Sequence, residues 1–329
     1  MSPRAARWLA LLRLAVGVAL VAALLAILDL RELGRTLASA KLGFVALALA
    51  LSMANAFLAS LRWSILLAAR GAAIPLGRLV RIYFVSGFLS NFLPSSMATD
   101  GLRIFYARGH ARLETLVSSM VVDRLIGFFA MALVALLTLA ALPWVGALSL
   151  GPAMSGALLG FSALALAAPV AAVHPAVSRR VHALLARGRH RVLVAKAEAL
   201  YDGFLAYRGH PRALVQVKAV ALLSTLRGIV LFWLVALSLS AEGVSILYFF
   251  LLIPIMSVVE SIPVSLAGLG VHEGAIVLYF AQVGVPTEVS AGIAIVVRAL
   301  SILGTLPGAV LYLFDRTALR QALARREAP

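Results

Sequence analysis

The chain has 329 residues, of which 63% are hydrophobic and 13% are charged, and its mean hydropathy is +1.03. A soluble domain contains about 45–50% apolar residues, so this composition excludes an ordinary soluble fold and indicates a protein with several membrane spans. The net charge of +16 does not indicate a nucleic-acid partner, because the basic residues lie between apolar runs rather than on one surface. The chain contains no cysteine, which excludes disulfides, thiolate metal sites and a cysteine nucleophile.

Six apolar runs are long enough to cross about 30 Å of hydrocarbon. The first follows Arg4 and Arg7, as in a signal peptide, but its length and the lack of a small-residue cleavage site before Asp29 favour a retained helix. The runs lie near residues 9–28, 43–61, 116–141, 153–173, 213–240 and 290–314. The sequence therefore predicts an all-α fold, a polytopic membrane helix bundle with six full spans.

Two further apolar stretches, residues 82–106 and 246–280, are each interrupted by a similar phrase that contains proline. Lipid offers no partner to the carbonyl that a proline frees, so broken helices persist at bilayer depth only where they are buried or line a wet cavity. We therefore predict two re-entrant hairpins. With them, hydropathy gives seven or eight transmembrane segments in total. Their hairpin-forming residues are Asn91, Pro94, Ser96 and Gly101 in the first and Pro263, Ser265, Gly268 and Gly270 in the second.

The distribution of basic residues orients the chain. Lys and Arg are concentrated in residues 4–13, 62–112 and 179–212 and after residue 315, whereas the alternate connections contain only Arg31, Arg35 and Lys41. The positive-inside rule therefore places both termini in the cytoplasm. The first hairpin has basic flanks and the second has acidic flanks, so we expect the hairpins to enter the membrane from opposite faces.

Opposite entry implies an internal inverted repeat. We divide the chain into one transmembrane domain, residues 1–314, with candidate repeats at 43–141 and 213–314, and a cytoplasmic tail at 315–329. An arginine recurs within the span that follows each hairpin, as Arg124 and Arg298. Inverted repeats are a common architecture for alternating access in transporters.

The largest segment outside the membrane, residues 174–212, interleaves apolar and basic residues. This pattern is typical of a basic amphipathic helix that lies on anionic headgroups. A basic loop is also required by the orientation alone. A third possibility is that the segment recruits a partner enzyme.

Several ionisable residues fall within apolar segments, where each ionised group costs about 2.5–3.5 kcal/mol on insertion scales. Lys218 lies close to the inner end of its span and can extend to the interface. The four cations exceed the three carboxylates by one: Arg124, Lys218, Arg227 and Arg298 against Asp123, Glu260 and Glu273. The charges either pair to lock helices together or line a cavity whose surplus cation meets a phosphate headgroup.

The candidate substrate-binding residues follow from the second interpretation. They are Asp100, Arg103, Asp123, Arg124, Arg227, Glu260, His272, Glu273 and Arg298. No metal site is predicted, because His272-Glu273 lacks the second histidine of a zinc-protease helix, and no nucleotide-binding loop or other cofactor motif is present. The catalytic residues, if any exist, stay unassigned. Gly156 with Gly160, and Gly304 with Gly308, have the spacing typical of close helix packing.

Several of these phrases together resemble one known family. They are Arg81-Ile82-Tyr83, Asn91-Phe92-Leu93-Pro94-Ser95, Asp100-Gly101-Leu102-Arg103, Asp123-Arg124, Ile262-Pro263 with Ser265, and Gly268-Leu269-Gly270-Val271-His272-Glu273. The chain resembles the lysylphosphatidylglycerol synthase transmembrane family, a flippase-like group, over nearly its whole length. The resemblance implies that the protein moves or handles a lipid with a polar headgroup. The family's paired glycines before the aspartate are replaced here by Ala98-Thr99.

We therefore expect a flippase or transporter in a bacterial cytoplasmic membrane, with an anionic or polyprenyl-linked lipid as its partner. One alternative is an intramembrane headgroup or glycosyl transferase, with Asp100, Glu260 or Glu273 as a base. Another is a non-catalytic membrane subunit that binds a partner enzyme through residues 174–212. We expect no soluble synthase domain and hence no aminoacylation of phosphatidylglycerol.

Overall fold

The computed structural model describes residues 29–91, 93, 98–145, 152–186, 191–241, 243–261 and 270–313. Within these ranges every regular element is helical, which confirms the predicted all-α class. The helices are α1 (Leu30–Ala38), α2 (Leu42–Ala69), α3 (Leu76–Ser90), α4 (Ala98–Ala107), α5 (Leu113–Val145), α6 (Pro152–Val173), α7 (Pro175–Ala186), α8 (Arg191–Leu205), α9 (Pro211–Ser238), α10 (Ile246–Ser261), α11 (Val271–Ala281) and α12 (Thr287–Thr305). A 3₁₀ turn, Ala206–Gly209, connects α8 to α9.

Four helices are long and apolar enough to cross a membrane: Leu42–Ala69, Leu113–Ala141, Pro211–Ser238 and Thr287–Leu313. They correspond to four of the six predicted runs, and the protein is a multi-pass membrane protein. The run predicted at 153–173 forms α6, whose apolar stretch Leu158–Ala171 is shorter than these four. The run predicted at 9–28 and the tail at 315–329 lie outside the described residues.

The helix termini follow ordinary capping chemistry. Asp29 precedes α1, and its carboxylate accepts hydrogen bonds from the backbone N–H groups of Arg31 and Glu32 at 2.8 and 3.2 Å, which satisfies two of the unpaired donors at the helix start. Pro211 is the first residue of α9, a position where a backbone N–H would have no partner within the helix, so the lack of an N–H in proline costs nothing. These local signals set the boundaries of elements whose stability comes from packing.

The α2–α9 pair forms the centre of the bundle, with the most extensive contact between any two described helices. On one side, α10 and α12 pack on α9, and α11 packs on α10 and α12; Phe249 and Phe280 are fully buried in this part of the core. On the other side, α3 and α5 pack on α2, and α4 packs on α3 and α5, with Trp63 buried at the centre of this cluster. Large apolar side chains such as Leu278 remain exposed on the outer surface, as expected where helices face lipid rather than water.

Glycines bring the end of the span Thr287–Leu313 unusually close to α2 and α3. A methyl group built on Gly304 would lie 2.5 Å from the Ser52 hydroxyl, and one on Gly308 would overlap the Phe84 carbonyl oxygen. Gly304 and Gly308 are therefore sites of close helix packing, as their spacing predicts. Gly156 and Gly160 in α6 have the same spacing, but a methyl group there meets no described atom within 4 Å.

The segment 174–212 is helical in its described part, as α7, α8 and the 3₁₀ turn. Gly203 of α8 packs against α5, where a methyl group would lie 3.0 Å from the Ser118 hydroxyl. The Tyr207 hydroxyl donates to the Leu66 carbonyl oxygen of α2 at 3.1 Å. Burial raises the pKa of Tyr207 above its ordinary value, so the hydroxyl stays protonated as a donor. These contacts attach the segment to the bundle, and its predicted contact with headgroups stays a prediction.

The two glycine pairs provide a matched test of close packing. We expect Gly308→Ala to lower the melting temperature of the detergent-solubilised protein by about 2–8 °C, because overpacking costs about 1–3 kcal/mol. Gly160→Ala should leave it unchanged or raise it slightly, since alanine favours helix and the site is open. Equal shifts for the two variants would contradict the close approach of the final span to α3.

Candidate functional site

The two broken stretches form two pairs of short helices. In the first pair α3 packs against α4, and in the second pair α10 packs against α11. With 15, 10, 16 and 11 residues, the four helices are each about 15–24 Å long at 1.5 Å per residue. None reaches the roughly 30 Å of a hydrocarbon core. Pro94, Ser96, Pro263, Ser265 and Gly268 lie between the helices of these pairs, outside the described residues.

An ion pair joins the second helix of each pair to the long helix that follows. Arg124 Nε of α5 lies 2.6 Å from Asp100 Oδ2 of α4, and Arg298 Nε of α12 lies 2.8 Å from Glu273 Oε1 of α11. The partners are 24 residues apart in the first ion pair and 25 in the second. The two halves of the chain thus contain the same connection at corresponding positions.

The start of α11 strengthens the second of these connections. Gly270 has a backbone φ of +77°, a value that a residue with a side chain rarely adopts. Its N–H donates to Glu273 Oε2 at 2.8 Å, while the other carboxylate oxygen contacts Arg298. Both oxygens of Glu273 are therefore engaged in holding the helix start against α12.

Arg103 occupies an aromatic enclosure next to the first ion pair. Its side chain is 5% exposed, and its guanidinium carbon lies 4.6 Å from the Trp63 ring centroid and 5.3 Å from the Tyr83 ring centroid. Arg103 Nη1 lies 3.7 Å from Asp100 Oδ1. The rings stabilise the cation through their negative faces, so Arg103 connects α4 to α2 and α3 while Asp100 contacts two arginines.

Asp123 pairs with Arg62, a residue that the sequence analysis assigned to a cytoplasmic connection. Arg62 Nε lies 2.9 Å from Asp123 Oδ1, and Arg62 Nη2 donates to Asp123 Oδ2 at 3.0 Å, a two-point contact between α2 and α5. Both side chains are largely buried, with 16% and 8% exposed. Asp123 and Arg124 are adjacent, yet they face different partners because successive helical residues are about 100° apart.

Arg227 of α9 has no ion pair with any carboxylate that the structure describes. Its Nη1 donates to the Leu51 carbonyl oxygen of α2 at 3.1 Å, and its Nε is buried and has no hydrogen-bond partner in the part of the chain that the structure describes. Asn55 of α2 is a neighbouring polar residue, and its amide donates to the Tyr83 hydroxyl at 2.8 Å. Among the described residues, Arg227 is therefore a cation without a carboxylate partner, next to neutral polar groups.

Two cavities meet at Arg227. The first is about 330 Å³ and the second about 350 Å³ in volume, and both are lined by Asn55, Arg227, Gly228 and Phe232. The first cavity also contacts α3, α4, α11 and α12, and the second contacts α5 and α10. Residues of the central α2–α9 pair thus form a wall shared by the two cavities.

The structure brings the predicted residues together in several groups rather than one. Asp100, Arg103 and Arg124 form one cluster, Glu273 and Arg298 form another, and Asp123 contacts Arg62. Arg227 and His272 line the first cavity. Gly101 lies in α4 and Asn91 ends α3, where its amide donates to the Thr305 hydroxyl at 3.0 Å. Glu260 belongs to α10, but its side chain is outside the described part of the structure.

The neutral lining of the first cavity and the partner of Asp123 were not predicted from the sequence. Ser52, Asn55 and Arg62 recur at helical spacing on α2, which was the available signal for a polar face within an apolar run. Among the described residues, no group of three or more histidine, aspartate or glutamate side chains is placed to hold a metal ion. The site is thus a set of ion pairs surrounding a polar interior.

Long apolar helices, two pairs of short helices and charges paired at depth define a multi-pass helical membrane protein with a polar interior. The family described as "Lysylphosphatidylglycerol synthase TM region" matches residues 10–308, and the chain belongs to this family. This match confirms the resemblance found in the sequence. No match was found among curated proteins or among solved structures.

The Arg62–Asp123 contact predicts a non-additive effect on stability. Asp123→Asn leaves a buried guanidinium without its carboxylate, and we expect it to lower the unfolding free energy by about 3 kcal/mol. The double variant Arg62→Gln/Asp123→Asn should recover a large part of this loss, because no unpaired charge remains. Unfolding in mixed detergent micelles measures both changes.

The exposed pair Glu32–Arg35 provides the control for this measurement. Its two side chains are 53% and 78% exposed, so Glu32→Gln should change the unfolding free energy by less than about 1 kcal/mol. A double variant at positions 62 and 123 that is as unstable as the sum of its single variants would show that the contact contributes no coupling.

Proposed function

We propose that the protein is a lipid flippase or lipid transporter of a bacterial cytoplasmic membrane, which handles a lipid with an anionic headgroup. The observation that carries this proposal is Arg227, a cation in the wall shared by two cavities that has no carboxylate partner among the described residues. An isolated charge at this depth is costly, so it indicates a functional site by default. A phosphate is the anion that every phospholipid or polyprenyl-phosphate headgroup supplies.

The chemistry of Arg227 suits a phosphate. Guanidinium presents several donors in a planar fork that matches two phosphate oxygens, and here only Nη1 has a hydrogen-bond partner in the described chain. Cavities of about 330 and 350 Å³ lie at the small end of the range for ligand pockets. They suit a headgroup, while the acyl or prenyl chains would remain in the surrounding lipid.

The short helix pairs support a transporter architecture. We infer that each pair is a re-entrant hairpin, because neither helix of a pair is long enough to span and basic residues flank only the first. The corresponding ion pairs Asp100–Arg124 and Glu273–Arg298 support an inverted repeat of residues 43–141 and 213–314. Rocking of such repeats around a fixed site is a common route to alternating access.

This proposal assigns different roles to the predicted residues. Arg227, together with His272 on the cavity surface, would contact the headgroup. Asp100, Arg103, Asp123, Arg124, Glu273 and Arg298 would act mainly as positioning residues, because ion pairs or ring contacts already engage them. The alternative of an intramembrane transferase needs an available carboxylate as its base, and two of its three candidates are engaged: both oxygens of Glu273 have partners, and Asp100 contacts Arg103 and Arg124.

Arg227→Gln tests the proposal in vesicles that contain the reconstituted full-length chain and a fluorescent anionic phospholipid. We expect transbilayer movement to fall about tenfold or more, because a hydrogen bond to a charged group is worth about 1.5–3 kcal/mol. Quenching of the outer-leaflet probe measures the movement, and a size-exclusion profile checks that the variant is folded.

Lys218→Gln is the matched control, because it removes the same charge from the same helix. Lys218 Nζ lies 4.5 Å from the Phe129 ring centroid and belongs to the lining of neither cavity, so its loss should leave the rate unchanged. Movement by the wild-type protein no faster than in empty vesicles, or an Arg227→Gln variant as active as wild type, would contradict the proposal.

A further inference from the structure

The first cavity has an unusual lining for a site in a membrane protein. Eight of its side chains are neutral and carry a hydroxyl or an amide: Ser52, Asn55, Tyr83, Ser90, Asn91, Thr99, Ser301 and Thr305. Arg227 is the one guanidinium in the described lining, and His272 is the one imidazole. Neutral hydrogen-bonding groups, rather than charges, therefore dominate the chemistry of this surface.

No carboxylate is present among the described residues that line the cavity. The nearby acids Asp100 and Glu273 are engaged by Arg124 and Arg298 at 2.6 and 2.8 Å. A headgroup with an ammonium group would therefore enter a space that already contains Arg227 and in which no described side chain offers a counter-charge. Because an unpaired charge is costly in a low-dielectric interior, aminoacyl and ethanolamine headgroups fit this surface poorly.

The neutral groups can satisfy a ligand that both donates and accepts hydrogen bonds. A phosphate oxygen only accepts, whereas a hydroxyl group requires an acceptor for its own hydrogen as well. The side-chain amides of Asn55 and Asn91 donate to the hydroxyl groups of Tyr83 and Thr305 at 2.8 and 3.0 Å. The carbonyl oxygen of each amide can accept a hydrogen bond from a ligand. The Tyr83 hydroxyl accepts from Asn55 and so has its own hydrogen to donate.

We propose that the first cavity binds a phosphodiester headgroup bearing free hydroxyls, a polyol phosphate or a sugar phosphate, with the phosphate at Arg227 and the hydroxyls on the surrounding amide and hydroxyl side chains. This inference rests on the proposed lipid-handling function and specifies its substrate class. The residues come from α2 and the first pair on one side and from α12 on the other. Recognition of the hydroxyls would thus use both halves of the chain.

A panel of lipids that differ in their headgroup tests the proposal. The full-length protein in nanodiscs is mixed with phosphatidic acid, phosphatidylglycerol, phosphatidylinositol, lysylphosphatidylglycerol, phosphatidylethanolamine or a polyprenyl phosphosugar, and bound lipid is counted by native mass spectrometry. We expect the hydroxylated anionic lipids to bind about tenfold or more tightly than phosphatidic acid, since two or more neutral hydrogen bonds are added. Comparison of the lipids with glycerol, inositol and sugar headgroups shows which kind of hydroxylated headgroup the cavity prefers.

Ser301→Ala removes one hydroxyl from the cavity without adding volume. It should weaken binding of the preferred hydroxylated lipid about threefold to tenfold and leave binding of phosphatidic acid unchanged. Ser64→Ala is the control, because it removes a serine hydroxyl from α2 that donates to the Leu61 carbonyl oxygen outside both cavities. It should change the binding of neither lipid. If Ser301→Ala weakened the binding of all lipids equally, the effect would be structural and the assignment would be overturned.

The outcomes separate this inference from the proposed function. Equal binding of phosphatidic acid and of the hydroxylated lipids, or strongest binding of a lipid with an ammonium group, overturns the headgroup assignment while anionic-lipid handling stands. Absence of specific binding for every anionic lipid, with Arg227→Gln indistinguishable from wild type, overturns both. A preference for the hydroxylated lipids that Ser301→Ala reduces supports both.

Discussion

Hydrocarbon supplies no partner for a charge or for an interrupted helix, and the two ion pairs Asp100–Arg124 and Glu273–Arg298 meet this constraint in both halves of the chain. Each ion pair joins a helix that is too short to cross the membrane with a long helix that is able to cross it. Without Arg298, Glu273 of α11 would be a largely buried carboxylate without its guanidinium partner. Without Arg124, Asp100 of α4 would keep only its longer contact with Arg103. The pairs therefore make these short helices compatible with the interior of a membrane protein, and residues of α4 and α11 also line the first cavity.

In the described part of the chain, the other charges within the bundle follow the same logic, and Arg227 departs from it. Arg62 and Asp123 neutralise each other, and Arg103 lies between Trp63 and Tyr83. Arg227 differs, because its contact is a backbone carbonyl and two cavities adjoin it. Because most described charges within the bundle are paired and Arg227 has no carboxylate partner among the described residues, our proposal places the ligand at Arg227.

The all-helical class, four of the six predicted spans and the family were confirmed, because long apolar runs and the glycine-rich phrase around Gly270 are local signals. The recurring arginines Arg124 and Arg298 were also visible, but their partners depend on tertiary packing. Arg62 was assigned to a connection because hydropathy falls at the first basic residue, whereas α2 continues to Ala69. Neutral cavity residues such as Asn55 escaped notice since an amide in an apolar run creates no charge anomaly. The inverted repeat stays a prediction.

Opposite entry of the two helix pairs is the central claim, and the absence of native cysteine allows a direct measurement. Single cysteines replace Gly109, after α4, and Ser245, before α10, and a membrane-impermeant maleimide is applied to intact and to permeabilised spheroplasts. The account predicts that Ser245→Cys reacts in intact spheroplasts and that Gly109→Cys reacts only after permeabilisation. Labelling of both positions from the same side would contradict it.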